Sequence, residues 1–104
     1  MARYDVYNNP DANERTTTPY LLDVQNNFLE VDTRVMVPLH DAGRFRSASV
    51  RDLNPELDLQ GQALIMNTAA IGAIPSSDLL RPLASLANQS AVIQNALDTL
   101  FGGY

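Results

Sequence analysis

The last stretch of the chain, Ser90 to Tyr104 (SAVIQNALDTLFGGY), most restricts what the protein can be, because its periodicity admits one secondary structure. Ile93, Ala96, Leu97, Leu100 and Phe101 recur at i, i+3, i+4, i+7 and i+8, an apolar stripe along a helix whose other face carries Gln94, Asn95 and Asp98. Such a stripe must dock on something. Ser90 as N-cap and Gly102 as a left-handed closing residue give both ends a chemical reason. Burying the four large side chains is worth roughly 1.5–3 kcal/mol each as an upper figure. Asp98 lies in the last turn, where the helix dipole favours positive charge, and no cation is near in sequence. That small local cost marks a surface kept for a partner.

The segments before the helix read as short strands. Tyr4–Tyr7 alternates, and the polar run Asn8 to Thr18 follows without an apolar anchor and is expected to be mobile. Pro19 opens a second strand in which Tyr20, Leu22 and Val24 face one side and Leu21, Asp23 and Gln25 the other. Asn26-Asn27 turns the chain, and Phe28-Leu29 form an apolar pair beside Glu30 and Asp32. Thr33 to Leu39 is a third strand, and Pro38 places it at an edge or ends it there. His40 to Val50 is a long polar connection. Leu57–Leu59 and Gln62–Asn67 make a hairpin about Gln60-Gly61, giving five strands. Thr68 to Pro75 is small, apolar and uncharged, and reads either as an interior strand or as a dimer seam, with Gly72 marking a bulge or a close backbone approach. Ser76 to Leu80 is irregular, since Pro82 ends any helix begun there or restarts it at its first position. Short strands followed by a terminal helix indicate a single domain, residues 1–104, built as a small bent antiparallel sheet or partial barrel.

The apolar content of 45% is enough for a core without staples. The chain has no cysteine and one histidine, which makes redox and zinc chemistry poor candidates. A net charge of −5 without a single lysine opposes direct binding to nucleic acid, Arg44, Arg46 and Arg51 being the only basic cluster. No run is long and apolar enough to span a membrane and the N-terminus lacks a signal core, so a cytoplasmic location without membrane contact is expected.

No residue pattern points to catalysis. A nucleophilic triad would have to use His40, which reads better as a hydrogen-bonded surface residue, and the pairs Glu30/Asp32, Asp23/Asp41 and Glu56/Asp58 read as solvated faces without metal spacing. Gly102-Gly103 ends a helix instead of opening one, so it is no phosphate loop. No cofactor, metal or catalytic residue is expected. What remains is a binding surface formed by Phe28, Leu29, Asp98 and the tail Gly102-Gly103-Tyr104, set against the plainer reading of a helix cap with a frayed end.

Tyr20-Leu-Leu-Asp-Val-Gln25, Thr33-Arg-Val-Met-Val-Pro-Leu39, Ile74-Pro75 and Ile93-Gln-Asn-Ala-Leu97 with Leu100-Phe101, in this order and spacing, resemble the CcdB family of addiction toxins over nearly the whole chain. The resemblance implies a mainly β fold with a C-terminal helix, a small SH3-like barrel of the CcdB/MazF type, homodimeric. It implies a non-enzymatic toxin of a type II toxin–antitoxin system that binds the DNA gyrase A subunit and traps the gyrase–cleaved DNA complex. A CcdA-type antitoxin neutralises such toxins, and operator DNA is reached only through the antitoxin, as a repressor of the shared operon.

Carried over residue by residue, the resemblance implies gyrase contacts at Phe28, Leu29, Asp98, Phe101, Gly102, Gly103 and Tyr104. Asp98 stands where the family usually has Asn. Gly102 stands where the best-known toxins have the tryptophan that stacks on a gyrase arginine, a contact Gly102 cannot make. The dimer interface falls on Ala70, Ile71, Gly72 and Asn95. The antitoxin face falls on Asn8, Asn9 and Asp11 and on the Asn95 side of the helix, the acidic balance suiting a basic, disordered segment that folds on contact. Two alternatives stay open: a CcdB-like protein with weak or no gyrase poisoning, and a MazF-like ribonuclease using Arg44, Arg46 and Arg51 beside a general base.

Overall fold

A computed structural model describes residues 1–29, 31–43 and 52–102. The Arg44, Arg46 and Arg51 cluster, Glu30, Gly103 and Tyr104 lie outside the described residues. Among those described, the chain forms seven strands and one α-helix: β1 (Asp5–Asn8), β2 (Tyr20–Asp23), β3 (Thr33–Asp41), β4 (Glu56–Leu59), β5 (Gln62–Met66), β6 (Gly72–Pro75), β7 (Ala84–Ser85) and α1 (Ser90–Phe101). The two strands beyond the expected five are short, and β7 consists of two residues whose pairing with β1 no local pattern announces.

All pairings are antiparallel, in the order β4-β5-β3-β2-β1-β7, with β6 also on β3. The expectation that Pro38 puts β3 at an edge is wrong, because β3 is the nine-residue centre of the sheet. Along one side it pairs β6 through Thr33–Met36 and β5 through Leu39–Asp41. The Pro38 carbonyl accepts from Asn67 N (2.9 Å) on that side, so its ring nitrogen lies where one partner strand has ended and the next has not begun. A missing donor costs nothing there. This change of partner curls the sheet into a half-barrel.

The helix closes the open side. Ile93, Ala96 and Leu97 are buried and join Val6, Leu22, Val37, Leu39, Leu64 and Met66 in the main core. Only part of the predicted stripe docks, since Leu100 is half-buried and Phe101 is 70% exposed. Ile93 and Leu97 therefore carry the docking, at roughly 1.5–3 kcal/mol each as an upper figure. Ser90 is not the N-cap. A 3-10 turn at Ala87–Gln89 runs directly into α1, which leaves Ser90 already helical (φ −58°, ψ −35°). The Gln89 side chain is engaged elsewhere, its Oε1 accepting from Asp58 N (3.0 Å) and its Nε2 donating to Asp58 O (2.8 Å), which ties the start of the helix to β4. Gly102 does close the helix, at φ 72° and ψ 38°, with its N–H donated to Asp98 O. The β4–β5 turn is also as expected, Gln60 (φ 52°) and Gly61 (φ 90°) both taking the positive φ of a tight hairpin.

Thr68 to Pro75 is neither a single strand nor interior. Thr68–Ala70 forms a 3-10 turn, and β6 is a largely exposed edge paired only with β3. Gly72 pairs with Met36 in the sheet, but nothing lies within 4 Å of the place its Cβ would occupy, so no close approach requires glycine on that side. Ser76–Asp78 is a further 3-10 turn, and no helix restarts at Pro82.

The polar loop after β1 has a polar anchor in place of an apolar one. Asn9 is 4% exposed, its Nδ2 donates to Thr18 O (3.0 Å), and its Oδ1 accepts from Asp11 N (3.0 Å). Arg15 Nε donates to Asn9 O (2.6 Å). The run expected to lack an anchor is thus tied by hydrogen bonds at Asn9, with residues 10–17 exposed. No helix among the described residues is long and apolar enough to cross a membrane.

Candidate partner-binding site

The loop after β2 exposes apolar side chains because its polar groups are satisfied by neighbouring asparagines. Phe28 N donates to Asn26 Oδ1 (2.8 Å), Leu29 N to Asn26 O (3.3 Å) and Arg3 N to Asn27 Oδ1 (2.5 Å). Phe28 is 91% exposed and Leu29 53%, two adjacent exposed apolar residues in one turn.

Leu29, Asp98 and Phe101 line one cleft of about 360 Å³, together with Ile71, Gln25 and Arg3. The end of the helix thus stands beside the Phe28–Leu29 loop. Asp98 also has the cation that its sequence neighbourhood lacks, at one remove. Arg3 Nη2 donates to Gln94 Oε1 (2.7 Å), and Gln94 Nε2 donates to Asp98 Oδ1 (3.0 Å). The same guanidinium lies 5.2 Å from the Tyr4 ring centroid.

Gln25, on this cleft, joins a buried ionic network absent from the sequence reading. Asp23, taken there as half of a solvated carboxylate pair with Asp41, is fully buried. Arg34 Nε donates to its Oδ2 (2.8 Å) and Arg34 Nη2 to its Oδ1 (2.9 Å), a bidentate pair in which Arg34 is also buried. Gln25 N adds a third donor to Asp23 Oδ1 (3.0 Å), and Gln25 Oε1 accepts from Val35 N (2.8 Å). The signal was a charged residue on each of two neighbouring strands. It was missed because the second face of β2 was expected to meet solvent, whereas Leu21, Met36, Tyr7 and Leu79 bury it. The Tyr7 hydroxyl is buried there without a partner among the described residues, and desolvation, then the charges of Asp5 and Asp23, raise its pKa above 10.0 against an opposing effect of Arg34.

The remaining candidates are dispersed. Ala70, Ile71 and Gly72 are consecutive, with Ala70 and Gly72 exposed, whereas Asn95 lines a second cavity of about 740 Å³ beside Glu56, Ile65 and Val92. Asn8 and Asp11 are exposed, but the Asn9 side chain is turned inward and engaged. His40 is a hydrogen-bonded residue as expected, Nδ1 donating to Thr17 O (2.9 Å) and Nε2 accepting from Asn67 Nδ2 (3.2 Å) in the tautomer these partners select. Glu56 and Asp58 are exposed. Among the described residues no group of three or more His, Cys, Asp or Glu is placed to hold a metal ion.

No curated protein matches this chain. The profile of the family described as CcdB protein matches residues 3–103. With a mainly β, half-barrel fold and a single C-terminal helix to go with that match, the chain belongs to the CcdB family.

Proposed function

We propose that this protein is the toxin of a type II toxin–antitoxin pair, acting as a homodimer that binds the DNA gyrase A subunit and traps gyrase on cleaved DNA. The observation that carries this reading, beside family membership, is the meeting of an exposed apolar loop with an exposed aromatic helix end around one cleft. Phe28, Leu29 and Phe101 supply an apolar anchor, and Asp98 a polar rim. The Ala70–Gly72 segment, which leads into β6 and exposes Ala70 and Gly72, is the dimer surface in this reading.

The antitoxin is of the CcdA type and carries a basic segment. The groove on the Asn95 side of α1 supports this, since Asp52 and Glu56 lie on its walls with Ile65 and Val92. Asn8 and Asp11, exposed in and after β1 and apart from that groove, supply a separate antitoxin contact in this reading.

Purified protein added to gyrase and supercoiled plasmid is expected to give linear plasmid after detergent and protease treatment. Growth arrest on induction in a gyrase-sensitive strain, but not in one with resistant gyrase, is the cellular counterpart. Absence of both overturns the reading.

A second reading, a family member weak on gyrase, is favoured by Gly102. The helix ends there in a left-handed conformation that glycine adopts freely, and this is the position on which the family's stacking tryptophan falls. Binding to gyrase without trapped DNA would identify that case.

A further inference from the structure

We infer that the cleft between Leu29 and Phe101 receives one bulky apolar side chain from an extended segment of a partner protein, together with that residue's main-chain carbonyl, which accepts a hydrogen bond from Gln25 Nε2. The inference rests on the proposed partner-binding reading for its location and names the chemistry of what enters.

Gln25 is 6% exposed, and its amide is fixed in direction. Oε1 accepts from Val35 N (2.8 Å), so turning the amide over would set two donors against each other. The backbone on either side is held as well, Gln25 N on Asp23 Oδ1 and Gln25 O under Arg34 Nη2 (3.3 Å). In this fixed orientation Nε2 has no acceptor among the described residues. The other buried polar atom without a partner on this cleft, Arg3 Nε, is likewise a donor. Buried polar groups are normally paired, so a cleft whose two unmet groups are both donors lacks an acceptor oxygen.

The oxygen belongs to a neutral carbonyl. Arg3 and Asp98 both line the cleft and are linked through Gln94, so its local charge is already balanced, and the chain's net charge of −5 disfavours adding a carboxylate. The walls of Leu29, Ile71 and Phe101 require the group bearing the carbonyl to be apolar. The volume, about 360 Å³, lies at the low end of ligand sites and suits a single residue more than a helix or a cofactor.

The probe is N-acetyl-phenylalaninamide, added to the isotope-labelled full chain and followed by NMR. Saturable shifts of the Gln25 side-chain amide, Leu29 and Phe101, with a Kd on the order of millimolar, are expected for so small a ligand. Gln25→Glu keeps the acceptor for Val35 N and removes the donor, and it should weaken the probe about tenfold or more. Phe101→Ala removes one apolar wall of the cleft at an exposed position, and it should weaken the probe several-fold even if Gln25→Glu fails to fold. No saturable shift, shifts on another face, or binding unchanged in Phe101→Ala overturns the inference. So does dissociation of a dimer as the probe is added, which assigns the cleft to a second copy. Several-fold tighter probe binding on removal of residues 103–104 also overturns it, since the occupant is then the chain's own tail. Gyrase takes no part in this measurement. A protein that binds the probe without trapping cleaved DNA refutes the proposed function alone, and one that traps DNA while ignoring the probe refutes this inference alone.

Discussion

Replacing Arg34 by methionine tests whether the buried network of Asp23, Arg34 and Gln25 is one coupled unit. In the folded protein Asp23 is fully buried and holds three donors, Arg34 Nε, Arg34 Nη2 and Gln25 N. Arg34→Met keeps much of the aliphatic bulk but removes two of those donors and the only charge that balances the carboxylate within the pair. Breaking such a pair from one side costs about 3–5 kcal/mol, because a carboxylate then stays buried without its counter-ion. Against a typical total of about 5–15 kcal/mol, that removes about a fifth or more of the stability. At roughly 4–8 °C per kcal/mol for a domain of this size, the melting temperature falls by about 12–40 °C.

The double variant Arg34→Met/Asp23→Leu should recover most of this loss. Roughly 1–3 kcal/mol stays lost for the Gln25 N–H, which no longer has its acceptor. Urea unfolding followed by circular dichroism on the wild type, both single variants and the double variant gives the coupling energy directly. An Arg34→Met loss below about 1 kcal/mol, or a double variant as unstable as the sum of the singles, refutes the argument that burial governs this pair.

Four further outcomes follow from the geometry. Tyr7→Phe removes a buried hydroxyl without a partner and should raise stability by about 1 kcal/mol in urea at neutral pH. Because the folded-state pKa of Tyr7 is raised, its contribution is complete below pH 10.0 and fades as pH climbs above that value, so the wild type loses stability there relative to Tyr7→Phe. Gly102→Ala should cost about 1–2 kcal/mol through backbone strain alone, as nothing lies within 4 Å of the new Cβ, and equal urea midpoints would disprove it. Phe28→Ala and Phe101→Ala should leave stability within about 0.5 kcal/mol while weakening surface-plasmon binding to immobilised gyrase A subunit by about 30-fold, the equivalent of a 2 kcal/mol hot spot. Asn9→Ala leaves the Thr18 carbonyl and the Asp11 N–H without their partner, and faster limited proteolysis between residues 10 and 18 is the expected sign.

Much of the candidate site was legible because its signals are local. The stripe through Ile93 and Leu97, the glycine closure at 102 and the apolar pair Phe28-Leu29 in a polar turn depend on residues within a few positions of one another. The failures share a different cause. Ser90 looked like a cap until a preceding 3-10 turn carried the helical backbone through it. Pro38 looked like an edge marker until β3 proved to change partners at that residue. Asp23 looked solvated until a second apolar layer covered its face of β2.

Spacing along the chain alone determined where five of the seven described strands and the helix lie, since side-chain periodicity and turn chemistry act over a few residues and need no distant partner. It also determined that the helix carries an apolar stripe, and that Phe28 and Leu29 stand in a polar turn. Only the folded arrangement decided that Arg3 answers Asp98 through Gln94, that Arg34 neutralises Asp23, and that Leu29 and Phe101 share a cleft over Gln25. Those contacts join residues far apart in sequence, and their energies depend on burial, which is a property of the assembled layers and not of any one segment.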